Sequence, residues 1–433
     1  MSAFILRGQV LSFAGDPFVD GLDAARIESD GAVVIENGLI VETGSAQRVL
    51  PSWPGARIEH CGGDLIAPGF VDCHVHYTQL PIIASYGEEL LEWLNTFTFP
   101  AEMRFADKDY SKGVANLFLN ECLRNGVTAA SVYASVHAQS VDAFFEAAHE
   151  MNMRMACGKV LMDQNAPDAL CDTAQSAYDN SKQLIERWHG QGRAVYAITP
   201  RFAITSTPQQ LEAAGALWCA FPDALMQTHL SENHAEIAFT RELYPQDEDY
   251  FAIYERFGLT GPGAVFGHAV HLTPREISAL RASGSAISHC PTSNLFLGSG
   301  LFDMKDLGEG AAHIPIGLAS DVGAGTSLSM FKTMRACYEI CRLQGYALHP
   351  AKAWYLATHG SAKTLRMDRR IGNIAPGFEA DLVVIDLDST ALIEQRMRQA
   401  RDIWDGLFAQ IVMADDRAIR ASFIMGEARY RRS

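Results

Sequence analysis

Short apolar runs alternate with helix-like stretches through the middle of the chain. Val141–Met151 and Pro274–Ser283 show the periodicity of helices between such runs. This alternation is typical of β/α units around a parallel sheet, and eight units over about 300 residues match a (β/α)8 TIM-like barrel. The predicted strands are Ile66–Val75, Thr128–Val136, Arg154–Leu161, Val195–Arg201, Leu225–His229, Val265–His268, Ala286–His289 and Ile314–Ala319.

The two ends of the chain have a different pattern, with short strands and turns. Phe4–Phe13 is an apolar-rich run, and Asn37-Gly38 marks a hairpin turn between two further runs. Leu382-Val-Val-Ile-Asp repeats this texture near the C terminus. We therefore predict an α/β protein in which residues 1–66 and 375–433 form a small β-sandwich domain around a barrel of residues 67–374.

The composition favours a cytoplasmic globular enzyme. Of the 433 residues, 48% are hydrophobic and 20% are charged, which is ordinary for a folded protein. The net charge of −16 disfavours nucleic acid as a partner, because phosphate backbones are repelled. The nine cysteines have no CxxC pair, as expected in a reducing compartment. The start of the chain does not resemble a signal peptide, and no apolar run has the length of a membrane span.

The stretch Pro68-Gly-Phe-Val-Asp-Cys-His74-Val-His76 carries the strongest chemical signal. Residues i and i+2 of a strand face the same side, so the two imidazoles point together and can bind one metal ion. The alternative is a pair of buried histidines that serve only packing. The spacing at the end of an apolar strand favours the metal site.

Further candidate ligands follow other predicted strands at their C-terminal ends, where (β/α)8 enzymes carry their catalytic groups. They are His229, His268 and Asp321, with Glu232 three residues beyond His229. Histidine and carboxylate ligands suit zinc, and also iron or manganese. This set contains no thiolate, which argues against a structural zinc cage of four cysteines.

Two other kinds of metal enzyme fit the sequence less well. His234-Ala-Glu236 resembles the His-x-Glu of cytidine-type deaminases, but the Pro-Cys-x-x-Cys partner is missing. No lysine ends the fourth predicted strand, where Thr199-Pro-Arg-Phe202 stands instead, so a lysine-bridged pair of metals is disfavoured. One metal ion per chain is expected.

These residues resemble the amidohydrolase superfamily and, within it, the guanine deaminases. The superfamily resemblance is carried by the His74-Val-His76 stretch, Thr228-His-Leu-Ser-Glu232, the strand ending at His268, Ser320-Asp321 and Gly377-Phe-Glu-Ala-Asp381. Longer strings carry the closer resemblance, and they are Tyr86–Pro100, Gly158–Asp163, Thr199–Phe202, Cys290–Gly300 and Asp321–Thr326.

The resemblance implies roles for individual residues. It implies that His74, His76, His229 and Asp321 bind one Zn2+ per chain, with Fe2+ as the other possibility. It implies that Glu232 moves protons, together with Asp321 and His268 as catalytic residues. The remaining matched positions imply contacts to the base, and they are Gln79, Trp93, Arg201 and Phe202.

The implied activity is hydrolysis of guanine to xanthine and ammonia, with guanine as a small-molecule substrate. The resemblance also implies a homodimer. A related deaminase of another amino-heterocycle, such as 8-oxoguanine, a pterin or a triazine, remains an alternative. A catalytically inactive binding scaffold is a third hypothesis, although it predicts that ligands are lost, whereas His74, His76, His229, Glu232 and Asp321 are all present.

Overall fold

The computed structural model describes residues 3–87, 90–310 and 313–432. Glu88 and Glu89, which are part of the matched Tyr86–Pro100 string, lie outside the described residues. The chain divides into two compact units. One comprises Met1–Asp72, Asn120–Ala129 and Leu328–Ser433, and the other comprises Cys73–Leu119 and Ala130–Ser327. The predicted domain boundaries at 66/67 and 374/375 stay a prediction.

Both ends of the chain join in one mixed sheet of seven strands. The strands are β1 (Phe4–Phe13), β2 (Ala25–Glu36), β3 (Leu39–Ser45), β4 (Arg57–Pro68), β14 (Leu382–Ile385), β15 (Ile419–Ile424) and β16 (Glu427–Arg431), in the spatial order β16-β15-β14-β4-β1-β2-β3. The predicted Asn37-Gly38 turn lies between β2 and β3, with positive φ angles of 53° and 82°. Val33 and Val34 belong to separate apolar clusters, so both faces of the C-terminal half of β2 are buried.

The middle of the chain forms the predicted sheet of parallel strands. Its strands are β5 (Phe70–His76), β6 (Val127–Tyr133), β7 (Arg154–Gly158), β9 (Val195–Pro200), β10 (Leu225–Leu230), β11 (Ala264–His268), β12 (Ala286–His289) and β13 (Ile316–Leu318), paired in that order, with the short β8 (Val160–Leu161) on β9. The predicted (β/α)8 fold class, with a small β domain built from both termini, is confirmed.

Two backbone hydrogen bonds connect the end of the last barrel strand to the first. Asp321 N donates to His74 O at 2.9 Å, and His76 N donates to Val322 O at 2.8 Å. These backbone hydrogen bonds therefore hold together the ends of two strands that carry candidate metal ligands. This contact brings Asp321 next to a histidine pair about 250 residues earlier in the chain.

The sequence predicted one strand from Ile66 to Val75, but the structure divides it at Gly69. β4 ends at Pro68 in the terminal sheet, and β5 begins at Phe70 in the barrel. A Cβ at Gly69 would lie 2.1 Å from Thr128 Oγ1, so only glycine allows this approach.

Helices cover the remaining connections. The α-helices are α1 (Ala46–Val49), α2 (Leu90–Trp93), α3 (Phe99–Met103), α4 (Lys108–Arg124), α5 (Ala138–Glu150), α6 (Ala174–Trp188), α7 (Pro208–Ala220), α8 (His234–Leu243), α9 (Tyr250–Arg256), α10 (Pro274–Ser283), α11 (Pro291–Phe296), α12 (Met304–Gly308), α13 (Met330–Leu343), α14 (Pro350–Leu356), α15 (His359–Thr364), α16 (Ala391–Met397) and α17 (Ile403–Met413). A π-helical turn, Leu94–Thr98, joins α2 to α3. In the described ranges, no helix has both the length and the apolar character needed to cross a membrane.

Candidate active site

Three histidines from two barrel strands form a compact buried cluster. His74 and His76 are 1% and 2% exposed at the end of β5, and their Nε2 atoms lie 3.3 Å apart. Each of these residues and His229, on β10, offers a ligand atom within 4.8 Å of the others. Alternation along β5 places the two side chains on one face, as predicted.

Asp321 completes this cluster with one carboxylate oxygen. Its Oδ1 lies 3.4 Å from His74 Nε2 and 3.5 Å from His76 Nε2. Its Oδ2 faces the other way, 3.7 Å from Nε2 of His268. One carboxylate can therefore contact a metal through one oxygen and a neighbouring group through the other.

The protonation states suit metal binding. Burial lowers the pKa of His74, His76 and His229, so their imidazoles are neutral. Burial alone would raise the pKa of Asp321, but its contacts with His74, chiefly a hydrogen bond, lower it to about 2. Neutral imidazoles and an ionised carboxylate are the forms that bind a divalent cation.

Neighbouring groups orient these histidines. His229 Nδ1 donates to the carbonyl oxygen of Arg201 at 2.6 Å, which leaves Nε2 as the nitrogen available to a metal. The Tyr133 ring lies 4.5 Å from each of the rings of His74 and His76. A Cβ at Gly267 would lie 2.7 Å from His74 Cε1, so glycine makes the space that the His74 ring occupies. Donor types, spacing and orientation all fit one metal ion.

Glu232 lies beside this cluster in the loop after β10. Its Oε2 is 3.4 Å from His268 Nε2, and its Oε1 accepts a hydrogen bond from Ser299 Oγ at 3.0 Å. The backbone N–H of Glu232 donates to Glu236 Oε2 at 2.8 Å, which fixes the loop. Burial raises the pKa of Glu232 to about 7, against the lowering effect of His268. A carboxyl group with this pKa can give and accept a proton near neutral pH.

His268 stands at the centre of these contacts. Burial lowers its pKa, but the nearby carboxylates of Glu232 and Asp321 outweigh burial and raise it. Its Nδ1 lies 2.9 Å from Asn294 Oδ1, so Nε2 faces the two carboxylates. The protonation state of His268 therefore depends on Glu232 on one side and Asp321 on the other.

Backbone strain is concentrated at these strand ends. Ser231, His268 and Asp321 have φ angles of 49°, 67° and 49°, in the left-handed region that non-glycine residues rarely adopt. Each such residue costs about 1–3 kcal/mol, and conformations of this kind cluster at functional sites. Two of these residues, His268 and Asp321, lie with their side chains 3.7 Å apart, so the strained backbone coincides with the candidate site.

One cavity joins the cluster to the predicted base-binding residues. Leu90, Leu94, Leu297 and Ala324 add apolar surface to it. The predicted site residues that line it are His76, Gln79, Trp93, Arg201, Phe202, His229, Glu232, His268 and Asp321, and His74 lies next to His76. The structure thus brings together every residue predicted for the site, while their individual roles stay predictions.

The aromatic residues take two different positions. Phe202 is 4% exposed, and its ring lies 6.1 Å from that of His229, roughly perpendicular to it. Trp93, on α2, is 1% exposed, and its Nε1 donates to Ser85 O at 3.2 Å. Phe202 therefore lies beside the histidine cluster, and Trp93 is held in a segment that lines the cavity through Leu90, Trp93 and Leu94.

Sequence reasoning missed several residues of the site. The Cys290 thiol lies within 4.8 Å of ligand atoms of His74, His268 and Asp321, although no cysteine is among the predicted site residues. Ser299, Asn294 and Cys290 all fall within the matched string Cys290–Gly300, which was the available signal. Glu102 contacts both Gln79 and Arg201, and no sequence pattern pointed to it.

A (β/α)8 barrel with a histidine–aspartate cluster at its C-terminal strand ends defines the class of metal-dependent hydrolase barrels. The model of the amidohydrolase family matches residues 65–429. The chain belongs to this family.

Several relatives of this chain are guanine deaminases. The chain is 46% identical over 411 residues to guanine deaminase of Escherichia coli (strain K12), which covers 95% of this chain and 93% of that protein. The solved structure of E. coli guanine deaminase has a TM-score of 0.95 at 42% identity and covers 100% of both chains. The structure of guanine deaminase from C. acetobutylicum with bound guanine in the active site has a TM-score of 0.88 at 26% identity, covering 98% of this chain and 99% of that one.

Proposed function

We propose that this protein hydrolyses guanine to xanthine and ammonia. The observation that carries the proposal is the single cavity in which the histidine–aspartate cluster, Glu232 and Arg201 all meet. Hydrolytic loss of an amino group requires an activated water, a proton carrier and a means of holding the base, and this cavity offers all three. The named relatives, which match nearly the whole chain, support the same substrate.

The metal is proposed to be zinc, one ion per chain, held by His74, His76, His229 and Asp321, with iron as the other candidate. A metal of this kind lowers the pKa of a bound water to near 7 and so supplies a nucleophile at neutral pH. The donor set supports this choice, because neutral imidazoles and a carboxylate suit both metals.

The protons are carried by the chain's own carboxyl groups. Asp321 is ionised and can accept the proton of the attacking water. Attack at C2 of guanine places negative charge on the ring, and Glu232 gives a proton to N3. Glu232 then takes the remaining proton of the hydroxyl group now bound to C2 and passes it to the amino group, so that C2=O forms, the C2–N bond breaks and ammonia departs. Asp321 returns its proton to Glu232, which restores both carboxyl groups for the next cycle. His268, between the two carboxylates, orients the water or the substrate.

The base is held by polar groups on one side and aromatic rings on the other. Arg201 offers N–H donors to O6 of guanine, and Gln79 offers an amide beside it. Phe202 supplies a ring for stacking, and Trp93 closes the cavity over the base. A site of this kind prefers a free base to a nucleotide.

The test is ammonia release from guanine by purified protein, with adenine, 8-oxoguanine and a pterin alongside, and elemental analysis of the same preparation. We expect guanine to be the preferred substrate and close to one zinc per chain. Preference for 8-oxoguanine or a pterin would assign the site to a related deaminase. Two metals per active chain, or full activity without metal, would contradict the metal proposal.

A homodimer in the cytoplasm is part of the same proposal and is supported by the family resemblance. Light scattering on the eluting protein measures the mass directly. A monomeric mass of 47.4 kDa would contradict the dimer.

A further inference from the structure

Glu102 is a fully buried carboxylate that contacts two of the predicted base-binding residues at once. It lies on α3 and is 0% exposed. Its Oε1 accepts hydrogen bonds from Gln79 Nε2 and Arg201 Nη1, both at 3.0 Å, and its Oε2 accepts a second one from Arg201 Nη1 at 2.8 Å. Glu102 itself does not line the cavity formed by its two partners.

These contacts determine what Gln79 presents to a ligand. A carboxylate only accepts hydrogen bonds, so the amide of Gln79 must direct its NH2 group to Glu102. Its Oε1 is then fixed on the other side, 3.4 Å from the backbone nitrogen of Gly323. Without Glu102, the amide could rotate by half a turn and exchange its donor and acceptor positions.

The same carboxylate determines which N–H groups of Arg201 can bind a ligand. Both of its contacts are to Nη1, so the donors of Nε and Nη2 remain for a ligand on the cavity side. The Phe99 ring lies 5.6 Å from the Arg201 guanidinium carbon and limits its movement. The buried negative charge of Glu102 also balances the positive charge of Arg201, which is 3% exposed.

We propose that Glu102 is the positioning residue that sets the hydrogen-bond pattern of the base-binding side, and with it the selectivity for a neutral 6-oxopurine. The inference rests on the proposed function, because it names the residue that prepares Gln79 and Arg201 for guanine. Arg201 then offers donors to an oxo group at position 6. An amino group at position 6 would place its own N–H donors against the N–H donors of Arg201.

Glu102 also connects selectivity to the cover of the cavity. It belongs to the cover segment, residues 90–103, which runs from α2 through the π-helical turn to α3. Trp93 and Phe99 of the same segment pack in one apolar cluster with Phe202. The segment that lines the cavity with Leu90, Trp93 and Leu94 therefore also carries the carboxylate that orients the polar residues Gln79 and Arg201.

The experiment compares Glu102→Gln and Glu102→Asp with wild-type protein, using guanine and 2,6-diaminopurine, which has an amino group at position 6. For Glu102→Gln we expect KM for guanine to rise by up to about 100-fold, as for other displaced positioning groups. We expect kcat to change much less, since the proton carriers are untouched. The preference for guanine over 2,6-diaminopurine should fall, while metal content stays at the wild-type level.

Glu102→Asp keeps the charge that Arg201 needs and should retain more of this preference than Glu102→Gln. It also serves as the test if the Gln variant does not fold. The double variant Glu102→Asp/Gln79→Ala should raise KM for guanine by less than the product of the two single increases, because both substitutions act through one contact. Glu276→Gln is the matched control, since Glu276 is a buried carboxylate outside the cavity that accepts from backbone nitrogens of Thr273 and Phe251.

The wild-type assay distinguishes the two levels of the proposal. Wild-type protein that releases no ammonia from guanine contradicts the proposed function. Normal wild-type turnover with unchanged KM and unchanged preference in both Glu102 variants contradicts only the role of Glu102. Effects that multiply fully with Gln79→Ala, or that Glu276→Gln reproduces, would also overturn it.

Discussion

Ser299 Oγ donates a hydrogen bond of 3.0 Å to Oε1 of Glu232, and this contact is completely buried. Ser299 comes from the loop after α11, whereas Glu232 comes from the loop after β10. Because Oε2 of Glu232 faces His268, the serine determines which oxygen is left to meet a substrate. A residue with no chemistry of its own therefore orients the proposed proton carrier.

The first prediction follows from this contact. Ser299→Ala removes a hydrogen bond that contributes about 1.5–3 kcal/mol when it is made to a charged group. We expect kcat for guanine to fall about 10-fold with little change in KM, because a tenfold rate change corresponds to about 1.4 kcal/mol. Ser278→Ala is the control, since Ser278 is exposed and bonds only to the backbone of its own helix. Unchanged kcat in Ser299→Ala would show that Glu232 holds its position without the serine.

Glu232→Gln tests the proton carrier itself. The amide keeps the size of the side chain but cannot carry a proton to N3, so we expect kcat to fall by about 10²–10⁴-fold. Metal content should remain normal, since the predicted ligands are His74, His76, His229 and Asp321. Both quantities are measured on one preparation. A variant with nearly normal kcat would remove Glu232 from its proposed role.

Gly267→Ala tests the space beside the ligand cluster. Its Cβ would lie 2.7 Å from His74 Cε1 and 2.9 Å from Nδ1, so the ring must move away from its partners. We expect metal affinity to fall by about 10–100-fold, as for other changes that reorient a ligand. The measurement is the zinc content after dialysis against a graded series of chelator concentrations.

Gly113→Ala is the matched control for this substitution. Gly113 lies in α4, where an added Cβ meets nothing within 4 Å. Alanine is favoured over glycine in a helix by about 1 kcal/mol, so this variant should fold and retain its metal. Equal zinc retention by the two variants would contradict the steric argument.

The proximity of the histidines and Asp321 could be predicted from the sequence for a specific physical reason, while their role as metal ligands stays a prediction. Alternation along one strand places His74 and His76 on one face, and a barrel brings the C-terminal ends of its strands together. Both rules are local or topological, so they can be applied without coordinates. The same rules placed His229, His268 and Asp321 at the same end of the barrel.

Other parts of the site depend on contacts that no local rule describes. Glu102 lies 23 residues after Gln79 and 99 residues before Arg201, and only the folded cover segment brings the three together. Gly69, where the first predicted strand divides, likewise meets Thr128 of the neighbouring strand β6, which follows much later in the chain. Tertiary contacts of this kind leave no periodic signal in the sequence.

The last prediction concerns the choice of substrate. Arg201 can only donate hydrogen bonds, so it suits the O6 acceptor of guanine and opposes the amino group at the same position of adenine. A site built around such a partner rejects the wrong edge by about 10⁴-fold or more, because buried groups are left unpaired. GMP should also be a poor substrate, because its phosphate is repelled by a chain with a net charge of −16. Arg201→Lys tests this contact better than Arg201→Ala. Lysine keeps the positive charge next to Glu102 but loses the planar fork of donors, whereas alanine would also leave the buried charge of Glu102 unpaired. We expect kcat/KM for guanine to fall in Arg201→Lys and to remain normal in Arg187→Ala, whose arginine pairs with Asp142 at the surface. The decisive measurement is kcat/KM for guanine, adenine and GMP at one salt concentration, and adenine turned over nearly as well as guanine by the wild-type protein would show that Arg201 does not recognise O6.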